Sequence, residues 1–173
     1  MDIMDAIHTR RSTRNFTDEP VSDLSVETML RAAMAAPSAN NERPWRFVVV
    51  RDHDTLARLA AATPFAGPIG RAPLGIVLFA DTTVRKSNPD IEMLDGALAG
   101  QNLMLAAHAL GLGTVWLAVW PFAEFIATIR TALGAPGEAV PVAMFAVGVP
   151  EKEPAAVDRF EPGWIYSERY GER

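Results

Sequence analysis

The chain has 173 residues, of which 49% are apolar and 21% charged, with a net charge of −5 and an isoelectric point near 5.2. Length and composition predict one domain over residues 1–173 and exclude a disordered chain, while the acidic charge argues against a nucleic-acid partner. The absence of cysteine excludes disulfides, thiol catalysis, and zinc or iron–sulfur sites that need cysteine ligands.

The hydrophobic pattern of the N-terminal half predicts three helices and two strands. A short helix covers residues 2–9, and a second, capped by Ser22, ends before Pro37 because proline disfavours helix in the residue ahead of it. A strand, a helix and a strand follow, at residues 47–50, 54–62 and 74–80. The last of these strands is apolar throughout and is therefore predicted to be central in its sheet.

The C-terminal half begins with the longest predicted helix, residues 89–110. Asn88 is its expected N-cap, Pro89 its first helical residue and Gly111 its stop. At about 30 Å this helix would cross a small domain, and it is apolar or small on nearly every side. In so short a chain, that pattern favours burial against a second subunit.

The remaining elements are a strand at residues 113–119, a helix at 122–133, a strand at 140–149 and a tail. Prolines at positions 150, 154 and 162 break regular structure in the tail. Its aromatic residues, Trp164, Tyr166 and Tyr170, need a surface to pack on. We therefore expect an extended arm that wraps a partner subunit.

No membrane, metal or secretion signal is found in the sequence. The N-terminus is acidic without a long apolar run, and no stretch reaches the ~20 apolar residues of a membrane span. The histidines His8, His53 and His108 lie in separate segments without paired metal-ligand spacing. We expect a cytoplasmic protein with no metal site and no membrane partner.

The dinucleotide-binding motif GxGxxG is the first nucleotide signature to test. Gly111 and Gly113 form a GxG, but Trp116 occupies the third glycine position. The segment follows a helix and opens a strand, the reverse of what pyrophosphate binding needs. We interpret Gly111 as a helix stop and Gly113 as a turn.

Acidic residues cluster near the start of the long predicted helix. Glu92 and Asp95, with Asp81 and Asp90 before them, are scattered rather than paired. Carboxylates near a helix start favour the helix dipole. We therefore do not interpret them as a catalytic pair.

Two segments carry the strongest chemical signal. Residues 10–16 read Arg-Arg-Ser-Thr-Arg-Asn-Phe, and residues 36–45 read Ala-Pro-Ser-Ala-Asn-Asn-Glu-Arg-Pro-Trp. Guanidinium groups bind phosphate with two parallel hydrogen bonds, and short hydroxyl and amide side chains bind sugar or ring polar atoms. Alone, the first segment could be a solvated charged face and the second a capped turn. Together they predict a site for a phosphorylated, polyhydroxylated ligand that carries a ring.

Residues 10–16, 36–41 with 44–47, 101–107 and 110–116 together resemble the successive signatures of the flavin-dependent (FMN) nitroreductase family. They occur in that family's order and spacing, over essentially the whole chain. The resemblance implies an α+β fold with a central mixed sheet flanked by helices, whereas alternation alone predicts a doubly wound parallel sheet. It also implies a homodimer with FMN at the interface and a C-terminal arm exchanged between subunits.

The resemblance also assigns cofactor-binding residues in four groups. Arg10, Ser12 and Arg14 match positions that hold the FMN phosphate and ribityl chain, with Arg11 in the same motif and Arg159 completing the phosphate site. The loop that meets the flavin from the opposite subunit would supply Pro37, Ser38, Ala39 and Asn41. The strand end beside the isoalloxazine ring would supply Trp116, Leu117, Ala118 and Val119. A backbone N–H near Ala118 would donate to flavin N5.

Two departures from the family pattern concern the same site. Arg43 stands where the family often has glutamine before the Pro-Trp pair, and Val157 stands where many members carry a second basic residue two before Arg159. Phosphate binding would then depend more on Arg10, Arg14 and Arg159. The chain also lacks room for the long insertion that covers the flavin in larger members, so its site would be more open.

The activity implied by the resemblance is that of an FMN-dependent NAD(P)H oxidoreductase. NADH or NADPH would give a hydride to flavin N5 and leave, and a nitroaromatic, quinone or similar small-molecule acceptor would then be reduced in its place. No side-chain general acid is assigned, because the flavin carries the chemistry. The alternatives are a specialised superfamily member, such as a reductive dehalogenase or a flavin-fragmenting enzyme, and a low-turnover flavin-binding or redox-sensing protein.

Overall fold

The computed structural model describes residues 1–84 and 90–172. Its helices are α1 (Ile3–Thr9), α2 (Asp23–Met34), α3 (His53–Ala61), α4 (Ile91–Ala109) and α5 (Ala123–Leu133). Its strands are β1 (Trp45–Val50), β2 (Leu74–Asp81), β3 (Gly113–Ala118) and β4 (Ala139–Gly148). The predicted order of helices and strands is confirmed, as is the α+β class. The predicted cap at Asn88 and Pro89 lies outside the described residues.

The four strands form one sheet in the order β1-β2-β4-β3, and every neighbouring pair is antiparallel. The doubly wound parallel sheet that alternation predicts is therefore wrong. The mixed sheet that the resemblance implies is also corrected, because the pairs among these four strands are all antiparallel. The parallel pairing found among the described residues is an isolated bridge between Ser12 and Thr114. Alternation misleads here because α3 joins the antiparallel neighbours β1 and β2, and α5 joins the antiparallel neighbours β3 and β4.

Apolar side chains fill both faces of the sheet. One face is covered by α2 and α4, with Met29, Leu103 and Phe145 buried in one apolar cluster. The other face is covered by α3 and α5, with Leu59 and Ile129 in its core. Because both faces are covered, β2 is buried from Leu74 to Ala80, as its apolar run predicts.

The helix ends follow the capping residues. Ser22 accepts a hydrogen bond from the amide of Ser25 and begins α2, as predicted. Gly111 (φ +79°) and Gly134 (φ +63°) follow α4 and α5 in the left-handed conformation that ends a helix. At the N-terminus, α1 ends at Thr9, so the chain leaves it directly into the arginine motif, residues 10–14.

One side of α4 remains open in the isolated chain. Leu94 and Leu98 are 63% and 47% exposed, although Leu103 and Ala107 on the other side are fully buried. Helix α1 also exposes Ile3, Met4 and Ile7. Among residues 1–84 and 90–172, no helix is long and apolar enough to cross a membrane.

Candidate functional site

The arginine motif is fastened to the edge strand of the sheet. The amide of Thr13 donates a 2.9 Å hydrogen bond to the carbonyl of Thr114, and Ser12 forms a parallel bridge with the same residue. A Cβ on Gly113 would lie 2.6 Å from the Cβ of Thr13. Gly113 therefore belongs to β3 and permits this close approach, which corrects its interpretation as a turn. Gly111 is the helix stop that the sequence predicts.

Three of the predicted cofactor-binding residues lie near one another around one cavity. A cavity of about 500 Å³ lies between the end of α1 and the tail, lined by residues 7–11 and 156–160. It is bordered by Arg10, Arg11 and Arg159. Burial and the positive charges of Arg11 and Arg159 lower the pKa of Arg10 below its ordinary value.

This cavity has an excess of positive charge. Within the described residues, the guanidinium of Arg10 has no hydrogen-bond or ion-pair partner. The lining includes the carboxylate of Asp158, but its Oδ1 accepts a 2.9 Å hydrogen bond from the amide of Phe160. Clustered guanidiniums without matching carboxylates favour an anion, above all phosphate.

Arg11 behaves differently from Arg10. Its Nη1 donates to the carbonyl oxygens of His8 (2.8 Å) and Arg10 (2.7 Å), and its Nη2 donates to the carbonyl oxygen of Val157 (2.5 Å). Its Nε is buried and has no partner among the described residues. Arg11 thus contacts the main chain of the motif and of the tail.

Ser12 and Arg14 line a second, adjoining cavity of about 230 Å³. Lys152 lines it too, and this cation was missed by the sequence reasoning. An antiparallel bridge between Phe16 and Pro150 brings Lys152 to the motif. No sequence pattern marks such an isolated bridge, so the sequence carried no signal for Lys152.

The predicted loop adopts an unusual backbone. After Ser38, a 3-10 turn covers Ala39–Asn41. Asn40, Asn41 and Arg43 have φ angles of +50°, +56° and +49°. Residues with a side chain seldom adopt such positive φ angles. Ser38 Oγ accepts a 3.0 Å hydrogen bond from the amide of Arg43 and so closes the loop on itself.

The carboxylate of Asp95 anchors this loop to helix α4. It lies on α4, is only 4% exposed, and its two carboxylate oxygens accept hydrogen bonds of 3.1 and 3.2 Å from the amide of Ala39. The interpretation of Asp95 as a helix-dipole residue is corrected by this contact. The signal that could have identified Asp95 is its place among apolar and small residues inside α4.

The loop and the arginine cavity are separate in one chain. None of residues 37–41, all of them described, lines the cavity around Arg10. Pro37 and Asn41 are exposed, and Ser38 and Ala39 are half-buried. A ligand that contacts both the loop and the arginines therefore needs more than the surface of one cavity.

The predicted strand-end residues have mostly buried side chains. Leu117 and Val119 are buried in the core beneath α5, and Trp116 packs edge-on against Phe145 with ring centroids 5.2 Å apart. Ala118 is exposed. The amides of Val119 and Trp120 both donate to the carbonyl oxygen of Val142, at 3.1 Å each. The exposed surface of this strand end is formed around Ala118.

Comparison with known proteins agrees with this geometry. The model of the Nitroreductase family matches residues 7–66 and 64–149. A candidate NADH dehydrogenase/NAD(P)H nitroreductase of Archaeoglobus fulgidus is 40% identical over 167 residues, 95% of this chain and 96% of the relative. A counterpart with the same description in Methanothermobacter thermautotrophicus is 36% identical over 170 residues, 98% of this chain and 88% of the relative.

A solved structure extends the similarity to the whole fold. The crystal structure of a candidate nitroreductase from Desulfovibrio desulfuricans, in complex with FMN, superposes with a TM-score of 0.82 at 34% identity, covering 98% of each chain. The match of a family model to most of the chain agrees with the arginine motif and the antiparallel sheet described above. The chain belongs to the nitroreductase family.

Proposed function

We propose that this chain is an FMN-dependent NAD(P)H oxidoreductase that reduces nitroaromatics, quinones or similar acceptors. The observation that carries the proposal is the cavity of about 500 Å³ beside Arg10 and Arg159, in which the arginines outnumber the one carboxylate, that of Asp158. This volume lies within the range of about 300–1,000 Å³ that cofactor and ligand sites occupy. The FMN complex of the D. desulfuricans relative supports the choice of ligand.

The residues that line the two cavities fit the phosphate and the polar groups of FMN. Arg10 and Arg159 would hold the phosphate, because a free guanidinium and a dianionic phosphate form charge-assisted hydrogen bonds. Ser12 and Arg14, in the adjoining cavity of about 230 Å³, would bind the ribityl hydroxyls and the polar ring atoms. Arg14 and Lys152 line this cavity against one carboxylate, that of Glu151, and this excess of positive charge would favour negative charge near the ring.

The chemistry that bound FMN supplies is hydride acceptance from NAD(P)H and delivery of the electrons to an acceptor. The chain itself binds and orients the reactants. Ala118 at the exposed strand end and the anchored loop at residues 37–41 would border the ring. No acid or base side chain is assigned to the site.

A homodimer is part of the proposal. Helix α4 exposes Leu94 and Leu98, and the tail exposes Trp164 and Tyr170, which are 78% and 94% accessible. Such surfaces are typical of permanent interfaces, which are more apolar than transient ones. A second copy would bury them, and its loop at residues 37–41 would reach the cavity that the loop does not line within one chain. The tail would then be an arm that contacts the partner.

The test is an anaerobic reaction with NADH or NADPH, followed by addition of menadione or nitrobenzene. Loss of the flavin absorbance and its return on adding the acceptor are expected. Initial rates at several acceptor concentrations should give parallel lines in double-reciprocal plots, because donor and acceptor use the same space in turn. Intersecting lines would contradict the shared site.

The same samples separate the alternatives. Chromatography of the flavin after many turnovers should recover intact FMN, whereas its conversion to smaller fragments would support a flavin-fragmenting enzyme. Reduction of the flavin without acceptor-dependent turnover would support a redox-sensing protein. Protein stripped of flavin and then reconstituted is the control for both outcomes.

A further inference from the structure

We infer that Arg11 does not bind the phosphate but positions Arg159 by fastening the tail to the arginine motif. This inference rests on the proposed function, since it concerns how the same cavity would recognise the phosphate of FMN. It gives Arg11 a role distinct from that of its neighbour Arg10, although the two side chains are identical.

The hydrogen bonds of the Arg11 guanidinium leave no accessible pair of donors for a phosphate. Nη1 uses both of its N–H groups, on the carbonyl oxygens of His8 and Arg10, and Nη2 uses one, on the carbonyl oxygen of Val157. The remaining N–H groups, on Nε and Nη2, form one edge of the guanidinium, but Nε is buried. Because bidentate binding of phosphate needs both N–H groups of an edge, the burial of Nε closes this edge to the ligand.

The contact with Val157 spans 146 residues of sequence. Among the described residues, it is the only hydrogen bond that joins residues 152–160 to the rest of the chain. This segment has no helix or strand of its own, so its backbone has no other regular hydrogen bonds to hold it in place. Within one chain, Arg11 therefore supplies the hydrogen bond that fastens this part of the tail to the arginine motif.

Arg159 is two residues beyond Val157, a distance of at most about 7 Å along an extended chain. Fixing the carbonyl of Val157 therefore keeps Arg159 at the cavity, opposite Arg10. Val157 has no cationic side chain to offer a phosphate. It contributes instead its backbone carbonyl oxygen, which accepts the hydrogen bond from Arg11. Loss of Arg11 would free the tail and remove Arg159 from the cavity, while the groups that line the adjoining cavity stay in place.

The test is a double-mutant cycle read by flavin binding. Dissociation constants for FMN and for riboflavin, which lacks the phosphate, are measured by flavin fluorescence for the wild type, Arg11→Ala, Arg159→Ala and the double variant. Arg11→Ala should weaken FMN binding about tenfold and leave riboflavin binding within about twofold. In the Arg159→Ala background, Arg11→Ala should change FMN affinity by less than about twofold. The reason is that Arg159, the residue through which Arg11 acts on the phosphate, is already absent.

Two further variants sharpen the result. Arg11→Lys keeps the charge but cannot span three carbonyl oxygens, so its FMN affinity should fall toward that of Arg11→Ala. Arg58→Ala removes an exposed arginine of α3 that donates to Thr55 of its own helix, and it should bind both flavins as the wild type does. Circular dichroism verifies that each variant is folded.

Several outcomes would overturn the inference. Additive losses in the double variant, or wild-type FMN affinity in Arg11→Lys, would mean that Arg11 acts on the phosphate directly through its charge. Equal weakening of FMN and riboflavin would mean general damage to the fold. If the wild type binds no flavin, the proposed function fails and the inference fails with it, whereas FMN binding that is insensitive to Arg11 contradicts the inference alone.

Discussion

Thr13 and Thr114 are joined by a 2.9 Å hydrogen bond between backbone amide and carbonyl, which attaches the arginine motif to β3. The side chain of Thr13 is buried against Gly113, at a distance that leaves no room for a Cβ. Since a site supported by a strand is held more precisely than one on a free loop, this attachment gives Arg10 and Ser12 a defined position relative to the sheet.

The glycines at positions 111 and 113 should respond differently to substitution by alanine. Gly113→Ala places a methyl group 2.6 Å from Thr13, so it should displace the motif, cost about 1–3 kcal/mol of stability and weaken FMN binding. Gly111→Ala meets open space and should cost about 1–2 kcal/mol through its positive φ alone. Thermal unfolding and FMN titration of both variants provide the check. FMN affinity reduced equally in the two would contradict the proposed role of Gly113.

Asp95 should affect the flavin site through the loop. Asp95→Leu leaves the amide of Ala39 without its acceptor and should lower stability by about 1–3 kcal/mol and weaken FMN binding. Asp95→Asn retains an acceptor oxygen and should keep most of both properties. The midpoint of chemical unfolding and the dissociation constant for FMN are the measurements. Wild-type FMN affinity in Asp95→Leu would show that the loop does not need this anchor.

His108 should make stability depend on pH. Its Nε2 lies 2.8 Å from Thr9 Oγ1, and burial, followed by the charges of Arg10 and Arg11, lowers its pKa, with Glu153 opposing. A histidine with a lowered pKa in the folded state takes up its proton more readily when unfolded. Stability is therefore fully present above about pH 6.5, the ordinary pKa of histidine, and falls as the pH drops below that value.

Chemical unfolding at several values between pH 8 and pH 5 measures this effect. The variant His108→Asn should show a smaller loss of stability on acidification than the wild type. His53→Asn is the matched control, since His53 is exposed at the start of α3, and it should keep the wild-type dependence. Equal losses in all three proteins would assign the pH dependence to other groups.

Local sequence signals predicted local structure here. Ser22 began α2, Gly111 stopped the helix α4, and the apolar run from Leu74 marked the central strand. Each of these depends on neighbouring residues alone. The direction of the strands was not predictable in this way, because it depends on the pairing of β2 with β4, which lie far apart in sequence.

The candidate site shows the same division. The arginines and the loop were evident as motifs, and Arg10 and Arg159 line the same cavity in the structure. The hydrogen bond between Asp95 and Ala39 and the hydrogen bond between Arg11 and Val157 were not evident from the sequence. Each joins two distant segments through a backbone atom. Any residue type presents the same backbone atoms, so sequence carries little information about such contacts.

The proposed composite site can be tested with mixed dimers. Arg10→Ala and Asn41→Ala are each expected to impair the homodimer. If FMN meets the arginines of one subunit and the loop of the other, one site of the heterodimer receives both substitutions and the other receives neither, by the symmetry of a two-fold dimer. Heterodimers purified through two different tags should then recover about half of the wild-type FMN binding and turnover. Activity at the average of the two weak homodimers would place both residues in one subunit's site.

A titration of flavin-free protein with FMN and with FAD tests whether the arginine cavity holds the phosphate of FMN. We expect saturable binding of one FMN per chain, with the flavin absorbance bands, and a clear preference for FMN over FAD. We also expect Arg10→Ala, verified as folded by circular dichroism, to bind FMN about ten- to a hundredfold more weakly, because a charge-assisted hydrogen bond is lost. Absence of saturable FMN binding, preference for FAD, or unchanged affinity in Arg10→Ala would show that the cavity does not hold the phosphate.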